Sequence, residues 1–347
     1  MGSSSKKGGM CMGRKLFVLA ALLILLLPLA LTPLGVDIRA YRTDTQTGDF
    51  AENPVGYVTD RLALRTAAIT LRAKALAFLG ESGSSQVIRG REGFLFFAES
   101  LHTEPITDQE LSALTDKLTA LDQTLAADGR RLIVLIAPDK ASVYPEMLPL
   151  HVLPRQPDPL QQVNAALRDA GLTVLDAQGL LTAHKGTGLL YFRGDSHWNA
   201  RGARIIYQEL MRLTGTEAPD YADTPLLPDA AGDLTLLCQP GTPPTEPDAS
   251  PDIPRAYRTT RPMRTADDAR IQTTSATTAL SILVIRDSFG RGLLPYLANA
   301  AGRMTFSRSD QDVPAQAAAA QADWIVIEVV QRNLRNWLLD GALYDER

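Results

Sequence analysis

The sequence predicts an α/β domain built around a mostly parallel sheet. Short apolar runs rich in β-branched residues, RRLIVLIAP at 130–138, LSILVI at 280–285 and DWIVIEVV at 323–330, are typical of strands covered on both faces. Segments with apolar residues at helical spacing lie between the strands. This alternation of strands and helices favours parallel strands joined by helical crossovers.

The composition is that of an ordinary globular protein. The 347 residues carry a net charge of −4, which provides no basic surface, so nucleic acid is not an expected partner. The two cysteines, Cys11 and Cys238, are too few for a disulfide framework or a metal cluster. They lie on opposite sides of a long apolar run, so we expect no bond between them.

That apolar run, LFVLAALLILLLPLALTPL at 16–34, has no charged residue and follows several Lys and Arg residues within 1–15. Its length matches the hydrocarbon core of a bilayer, and the basic flank places residues 1–15 in the cytoplasm. We therefore predict a transmembrane anchor. A cleaved signal sequence is the alternative, although the following PLGVDIRA lacks a good cleavage site.

The remaining elements follow in chain order. Residues 35–58 are polar and turn-prone, which is typical of a spacer, and the domain occupies 59–347. Apolar residues at helical spacing predict helices at 59–80, 107–127, 160–171 and 200–215. Two further strands are predicted, one in GREGFLFF at 90–97 and one in LTVLDA at 172–177. The proline-rich stretch at 239–279 has no periodicity and predicts a long surface excursion, in part disordered.

A serine and a histidine follow predicted strands in a pattern that indicates nucleophilic catalysis. RDSFG places Ser288 at a strand-to-helix turn, with its hydroxyl at the mouth of the sheet and its N–H near a helix start. A serine hydroxyl needs a base. Among the four histidines, only His197 has a carboxylate, Asp195, two residues away in a loop before a helix. Asp195 would orient the imidazole while its far nitrogen accepts the serine proton. A turn and a solvated loop are the alternatives for the two motifs taken singly.

Four motifs resemble the AlgX/AlgJ-like alginate O-acetyltransferase family: GDSHWN at 194–199, RDSFG at 286–290, REGFLFF at 91–97 and APDKASVYPEMLP at 137–149. The resemblance covers about residues 59–340, and its D-x-H-W and D-S-F elements are the specific ones. It implies an SGNH-hydrolase-like domain, a three-layer α/β/α fold. It also implies that Ser288 is the nucleophile, His197 the base and Asp195 its orienter.

Other residues near these motifs are candidates for contacting the substrate or an oxyanion: Arg286, Lys140, Tyr144, Trp198 and Asn199. For Arg286, a sugar carboxylate is one partner and a neighbouring acid the alternative. A capping or salt-bridging role is the alternative for Lys140, packing beneath the loop for Trp198, and a helix cap for Asn199. A GDL turn containing Asp233 resembles one of the same family, without an assigned role.

The sequence contains no H-E-x-x-H, no C-x-x-C and no G-x-G-x-x-G motif after a strand, so we expect neither a metal nor a cofactor. The resemblance implies a polysaccharide acceptor, alginate-like, and a membrane-bound O-acyltransferase as acetyl donor. With the apolar run, it predicts a single-pass inner-membrane protein with its catalytic domain in the periplasm. Two alternatives stay open: an SGNH-type acetylesterase with the same triad, and a non-catalytic polysaccharide-binding subunit of an export complex.

Overall fold

The computed structural model describes residues 22–23, 26–27, 71–72, 74–76, 84–102, 106–152, 158–221, 223–225, 232–239, 246, 249–251, 253 and 255–336. The chain divides into two compact units, one of Met1–Ser84 with Thr235–Pro243 and the other of Ser85–Leu234 with Pro244–Arg347.

The predictions for the amino-terminal region lie mostly outside the described residues. This applies to the cytoplasmic segment 1–15, to the spacer 35–58, and to all but four residues of the run 16–34. In the predicted helix 59–80, the described residues are helical. Within the part of the chain that the structure describes, we find no helix with both the length and the apolar character needed to cross a bilayer.

The helices are α1 (Glu99–His102), α2 (Asp108–Ala127), α3 (Lys140–Val143), α4 (Pro159–Asp169), α5 (Ala177–His184), α6 (Ala200–Thr214), α7 (Asp233–Cys238), α8 (Leu294–Ala300) and α9 (Val313–Ala320). All of them belong to the second unit except α7, which begins in the second unit and ends in the first. The strands are β1 (Val87–Arg89), β2 (Leu95–Phe97), β3 (Arg131–Ala137), β4 (Val174–Leu175), β5 (Asp223–Pro225), β6 (Ala249–Pro251), β7 (Tyr257–Thr259), β8 (Arg270–Ser275), β9 (Ser281–Ile285), β10 (Arg303–Ser307) and β11 (Trp324–Val330).

A seven-stranded sheet in the order β4-β3-β11-β9-β10-β8-β7 forms the centre of the domain. The strands from β4 to β10 in this order are parallel, and β8 and β7 each pair antiparallel with their neighbour. The predicted α/β fold with a mostly parallel sheet is therefore confirmed. Since β9 lies in the middle of the sheet, the turn that follows it lies at the centre of the carboxyl edge, where ligands bind in such folds.

The sheet is covered by helices on both faces, which gives three layers. Strand residues alternate between the two cores: in β3, Ile133 and Leu135 face one core, and Leu132 and Val134 face the other. The first core includes side chains from α3, α5, α6 and α8, and the second includes side chains from α2, α4 and α9. Burial on both faces explains why β3, β9 and β11 are almost continuously apolar.

The predicted helices begin and end at recognisable capping residues. Thr107 and Glu110 form a reciprocal capping box at the start of α2. Asn199 accepts a hydrogen bond from the Gly202 N–H at the start of α6, and Gly215 ends that helix in the left-handed conformation. The helices predicted at 107–127, 160–171 and 200–215 are confirmed to within two residues of their bounds.

Two expectations require correction, and one strand was not predicted. The stretch 239–279 is not simply an excursion, because β7 and β8 extend the central sheet. In β8, whose sequence is RIQTTS, only Ile271 and Thr273 are buried, so the strand lacks the apolar run that would predict it. The strand predicted at 172–177 is confined to the two residues of β4, and α5 begins directly after it. Strand β10, beside β9, was not among the predicted elements.

Burial in the two cores predicts the effect of core substitutions on the free energy of unfolding. Leu118 of α2 is fully buried against the sheet, so Leu118→Ala should lower the free energy of unfolding by about 2–5 kcal/mol, through lost burial and a residual cavity. Leu150→Ala removes the same atoms from a residue that is 89% exposed and should change it by less than about 0.5 kcal/mol. Urea unfolding of the full chain measures both, and equal effects would contradict this account of the core.

Candidate active site

The turn after β9 positions Ser288. Ser288 precedes a 3₁₀ turn over Phe289–Leu293, which leads into α8. The carboxylate of Asp287 accepts the N–H of Phe289 through Oδ1, at 2.9 Å, and the N–H of Val330 through Oδ2, at 2.6 Å. The Asp287 N–H in turn donates to Glu328 Oε2, at 3.0 Å. The turn is therefore fixed to the end of the neighbouring strand β11.

The loop between Tyr191 and α6 positions Asp195 and His197. His197 Nδ1 lies 2.7 Å from Asp195 Oδ1, and the His197 N–H donates to the same oxygen at 2.9 Å. On the other side of the ring, His197 Nε2 lies 2.9 Å from Ser288 Oγ. An ionised Asp195 can only accept, so Nδ1 carries the proton and Nε2 is free to accept from the serine hydroxyl. The structure thus brings the three side chains into one continuous hydrogen-bonded row.

The environment keeps Asp195 ionised. Burial alone would raise the pKa of this carboxyl group. The hydrogen bonds and the charge of His197, and the N–H groups of His197 and Asp233, outweigh burial and hold the pKa of Asp195 well below its usual range. The side chains of Asp195 and His197 are only 15% and 12% exposed, so solvent competes little for their bond.

Lys140 lies beneath the loop and fixes its backbone. Its Nζ donates to the carbonyl oxygens of Phe192, Arg193 and Asp195, at 3.0, 2.9 and 2.7 Å. Lys140 is 4% exposed, and burial lowers the pKa of its ammonium group from 10.5 to about 8, against the opposing charges of Asp195, Asp233 and Glu246.

Glu246 fixes the same loop through different backbone atoms. Its two carboxylate oxygens accept the N–H groups of Arg193 and Gly194, at 2.7 and 2.8 Å. The loop therefore has carbonyl groups bound to a cation and N–H groups bound to an anion. Glu246 lies in the stretch 239–279, predicted to be a surface excursion, and no sequence motif includes it.

The other candidate residues make contacts within the protein, which favours the structural alternatives given for Arg286, Lys140, Trp198 and Asn199. Arg286 is fully buried and donates to the carbonyl groups of Asp287, Ala266 and Asp268. Lys140 is engaged as described above. Tyr144, 4% exposed, accepts the N–H of Leu190 through its hydroxyl.

Trp198 and Asn199 are likewise structural. Trp198 is 3% exposed, donates its indole N–H to the Phe289 carbonyl at 3.0 Å, and meets the Phe289 ring edge-on. Asn199 caps α6 and donates its amide to the Leu189 carbonyl. Both residues tie the histidine loop to its surroundings. Trp198 is buried, and the polar atoms of both side chains already have hydrogen-bond partners within the protein.

Two charged residues, Glu328 and Arg332, lie at or just after the carboxyl end of β11. Arg332 forms an ion pair with Asp139. Glu328 is fully buried, and burial together with the nearby Asp287 charge raises its pKa well above the usual range. Burial therefore favours the protonated form of Glu328 under the Ser288 turn.

The site also offers an unused backbone donor. Among the residues that the structure describes, none accepts a hydrogen bond from the Ser288 N–H, although the Ser288 carbonyl accepts from the Arg291 N–H. This N–H is on the same residue as the hydroxyl that pairs with His197. Such a donor is suited to an oxyanion that forms beside the serine oxygen.

Asp195, His197 and Asp233 offer three potential metal-ligand atoms within 4.8 Å of one another. The nearest of these atoms are already hydrogen-bonded to each other or to Ser196. Hydrogen bonding among these groups therefore accounts for the cluster.

Comparisons with known proteins agree on one family. A family profile described as "SGNH hydrolase-like domain, acetyltransferase AlgX" matches residues 87–333, more than half of the chain. The probable alginate O-acetylase AlgJ of Pseudomonas aeruginosa is 31% identical over 137 residues, which is 38% of this chain and 34% of that protein. The matched segment thus spans about a third of this curated relative.

Solved structures show the same fold. A DHHW family protein from Eubacterium siraeum has a TM-score of 0.58 at 13% identity, covering 74% of this chain and 94% of that one. PatB1 of Bacillus cereus has a TM-score of 0.53 at 15% identity, covering 72% of this chain and 96% of that one.

The burial of Lys140 predicts how the free energy of unfolding depends on pH. Because its pKa is lowered to about 8 in the folded protein, the folded state binds fewer protons than the unfolded state between pH 8 and 10.5. The contribution of this shift to the free energy of unfolding is present in full above pH 10.5, the pKa in the unfolded chain. It is lost as the pH falls through about 8, the pKa in the folded protein. The unfolding free energy of the wild type should therefore rise relative to Lys140→Met across this window, by up to about 3 kcal/mol.

Urea unfolding of the full chain at several pH values measures that difference. Lys117→Met, on the exposed side of α2, is the matched control and should show no such trend. A constant difference between wild type and Lys140→Met over pH 8–10.5 would contradict the burial of the ammonium group.

Proposed function

The chain belongs to the family described as SGNH hydrolase-like domain, acetyltransferase AlgX, and from this we propose that it is an O-acetyltransferase that transfers an acetyl group through a serine acyl-enzyme to a polysaccharide hydroxyl. Ser288 is the nucleophile, His197 the general base and acid, and Asp195 the residue that orients His197. The observation that carries the proposal is the row of hydrogen bonds, 2.9 Å from Ser288 Oγ to His197 Nε2 and 2.7 Å from His197 Nδ1 to Asp195 Oδ1.

The first half-reaction forms the acyl-enzyme. His197 Nε2 takes the proton of the Ser288 hydroxyl as Oγ attacks the carbonyl carbon of an acetyl ester. The C=O bond becomes a C–O⁻ bond, and the Ser288 N–H stabilises this oxyanion. When the carbonyl re-forms, the bond to the donor oxygen breaks, and the imidazolium returns its proton to that leaving oxygen.

The second half-reaction transfers the acetyl group. A sugar hydroxyl gives its proton to His197 Nε2 and attacks the acetyl-serine carbonyl. Collapse of this second intermediate breaks the bond to Ser288 Oγ, which recovers the proton from the imidazolium. The ionised Asp195 stabilises the imidazolium in both halves, because its low pKa keeps it charged when His197 becomes positive.

The proposed acceptor is an alginate-like exopolysaccharide, and the proposed donor is a membrane-bound O-acyltransferase. The acceptor is supported by the relative named probable alginate O-acetylase. The family resemblance implies this donor, and the proposed location, a periplasmic domain fixed to the inner membrane by residues 16–34, agrees with it because acetyl-CoA is cytoplasmic. The uncharged run at 16–34 with its basic flank supports that location.

Replacing the nucleophile tests the proposal. Ser288→Ala should lower acetate release from 4-nitrophenyl acetate by about 10⁴-fold or more, since the remaining groups form no acyl-enzyme. Ser112→Ala, on the exposed side of α2, removes the same oxygen far from the site and should retain full activity. The full chain is used, and cleavage of the ester is followed by the absorbance of the released 4-nitrophenolate.

The acceptor is tested in the same reaction. With mannuronate oligosaccharides or cello-oligosaccharides present, mass spectrometry should detect acetylated sugar from the wild type and none from Ser288→Ala. Acetate release without acetylated sugar would favour an acetylesterase. Equal inactivity of wild type and variant, with glycan binding retained, would favour a non-catalytic subunit and overturn the proposal.

A further inference from the structure

A second carboxylate lies beside His197. Asp233, the first residue of α7, places its Oδ2 3.6 Å from His197 Nδ1, farther than Asp195 Oδ1 at 2.7 Å. The same Oδ2 accepts the Ser196 hydroxyl at 2.6 Å, and Oδ1 accepts the Ser196 N–H at 2.7 Å. Asp233 therefore binds the residue that lies between Asp195 and His197.

The Asp233 backbone fixes the remaining oxygen of Asp195. Its N–H donates to Asp195 Oδ2 at 3.0 Å, while Asp195 Oδ1 accepts both donors of His197. Each oxygen of the Asp195 carboxylate therefore has its own donor. A carboxylate bound through both oxygens cannot rotate away from the imidazole without breaking hydrogen bonds.

Gly232, the residue before Asp233, packs closely against the backbone of Gly194 and Asp195. A Cβ atom on Gly232 would lie 2.2 Å from the Gly194 carbonyl oxygen and 2.7 Å from the Asp195 nitrogen. These are backbone atoms that cannot turn aside, so only glycine allows this approach. The Gly-Asp pair is therefore fitted against the catalytic loop.

Asp233 differs from Asp195 in its exposure. Its side chain is 42% exposed, against 15% for Asp195. Other charged groups that face these residues are the ammonium of Lys140, the carboxylate of Glu246 and the guanidinium of Arg332. Of the two carboxylates nearest to the imidazole, Asp233 is the more solvated.

We propose that Asp233 is a positioning residue with two effects on His197. Through Ser196 and its own N–H it fixes the geometry of Asp195 and His197, and through its charge it stabilises the protonated imidazole. The inference rests on the proposed function, in which His197 exchanges protons with Ser288 and the acceptor.

Two substitutions separate the effects. Asp233→Asn keeps an oxygen for the Ser196 N–H and an amide that can donate to the Ser196 hydroxyl, so it removes the charge and retains the geometry. The acidic limb of kcat/KM for 4-nitrophenyl acetate should move to lower pH by about half a pH unit, because protonated His197 loses a nearby negative charge. Asp233→Ala removes both effects and should also lower kcat roughly ten-fold.

Two further variants complete the set. Ser196→Ala removes the hydroxyl bridge and leaves the charge, so its kcat should fall while the acidic limb stays in place. Asp128→Asn neutralises a carboxylate that is 60% exposed and pairs with Arg130 on the opposite edge of the sheet, and its profile should match the wild type. If Asp233 had only a structural role, Asp233→Ala would lower kcat, but the acidic limb of the kcat/KM profile of Asp233→Asn would stay where it is in the wild type.

A readout independent of turnover distinguishes this inference from the proposed function. The NMR titration midpoint of the His197 imidazole should move to lower pH in Asp233→Asn, even if the chain acetylates no substrate. An unchanged midpoint in a folded Asp233→Asn, confirmed by circular dichroism, would overturn the inference.

Discussion

One hydrogen bond, between His197 Nε2 and Ser288 Oγ, joins two loops whose residues are 91 positions apart, and the proposed chemistry depends on it. Neither loop fixes this distance by itself. The serine turn is fixed by Asp287 to the end of β11, and the histidine loop is fixed by Lys140 from the start of α3. Hydrogen bonds weaken steeply with distance and angle, so a shift of either turn by a fraction of an ångström weakens the pair. The carboxyl edge of the sheet is rigid enough to set this geometry because the strands beneath it are buried on both faces.

Buried charged side chains at the carboxyl edge of the sheet form hydrogen bonds with the backbone. Lys140 and Arg286 direct their donors at carbonyl groups of loops, and Asp287 directs its acceptors at N–H groups. A charge moved from water into a protein loses a large hydration energy, which hydrogen bonds to polar groups of the backbone offset. Loops that lack regular secondary structure need such partners for their own peptide groups. The charges and the loops therefore stabilise each other, and substitution of the charged residue leaves unpaired peptide groups behind.

Electrostatics divides the acidic residues of the site into three kinds. Asp195 remains ionised because the charge and donors of His197 surround it, so its pKa lies below the usual range. For Glu328, fully buried under the serine turn, burial and the charge of Asp287 raise the pKa. Asp233 is more exposed and acts through Ser196. In the proposed reaction, acyl transfer and hydrolysis share the same acyl-enzyme, so Ser288, His197 and Asp195 set the rate at which it forms, and groups beyond these three select the acceptor.

The sequence alone determined the α/β class, the strands β3, β9 and β11, the capped helices α2 and α6, and the three residues of the hydrogen-bonded row. These features depend on local patterns: apolar runs, helical spacing, capping residues, and polar residues directly after a strand. The tertiary structure alone decided that β7 and β8 join the sheet, because polar edge strands gain their stability from a neighbour that periodicity does not reveal. It also decided that Arg286, Lys140 and Trp198 are buried supports, and that Glu246 and Asp233 reach the histidine loop. Such contacts join residues far apart in the chain, and their energies depend on the distances and burial that only the folded chain defines.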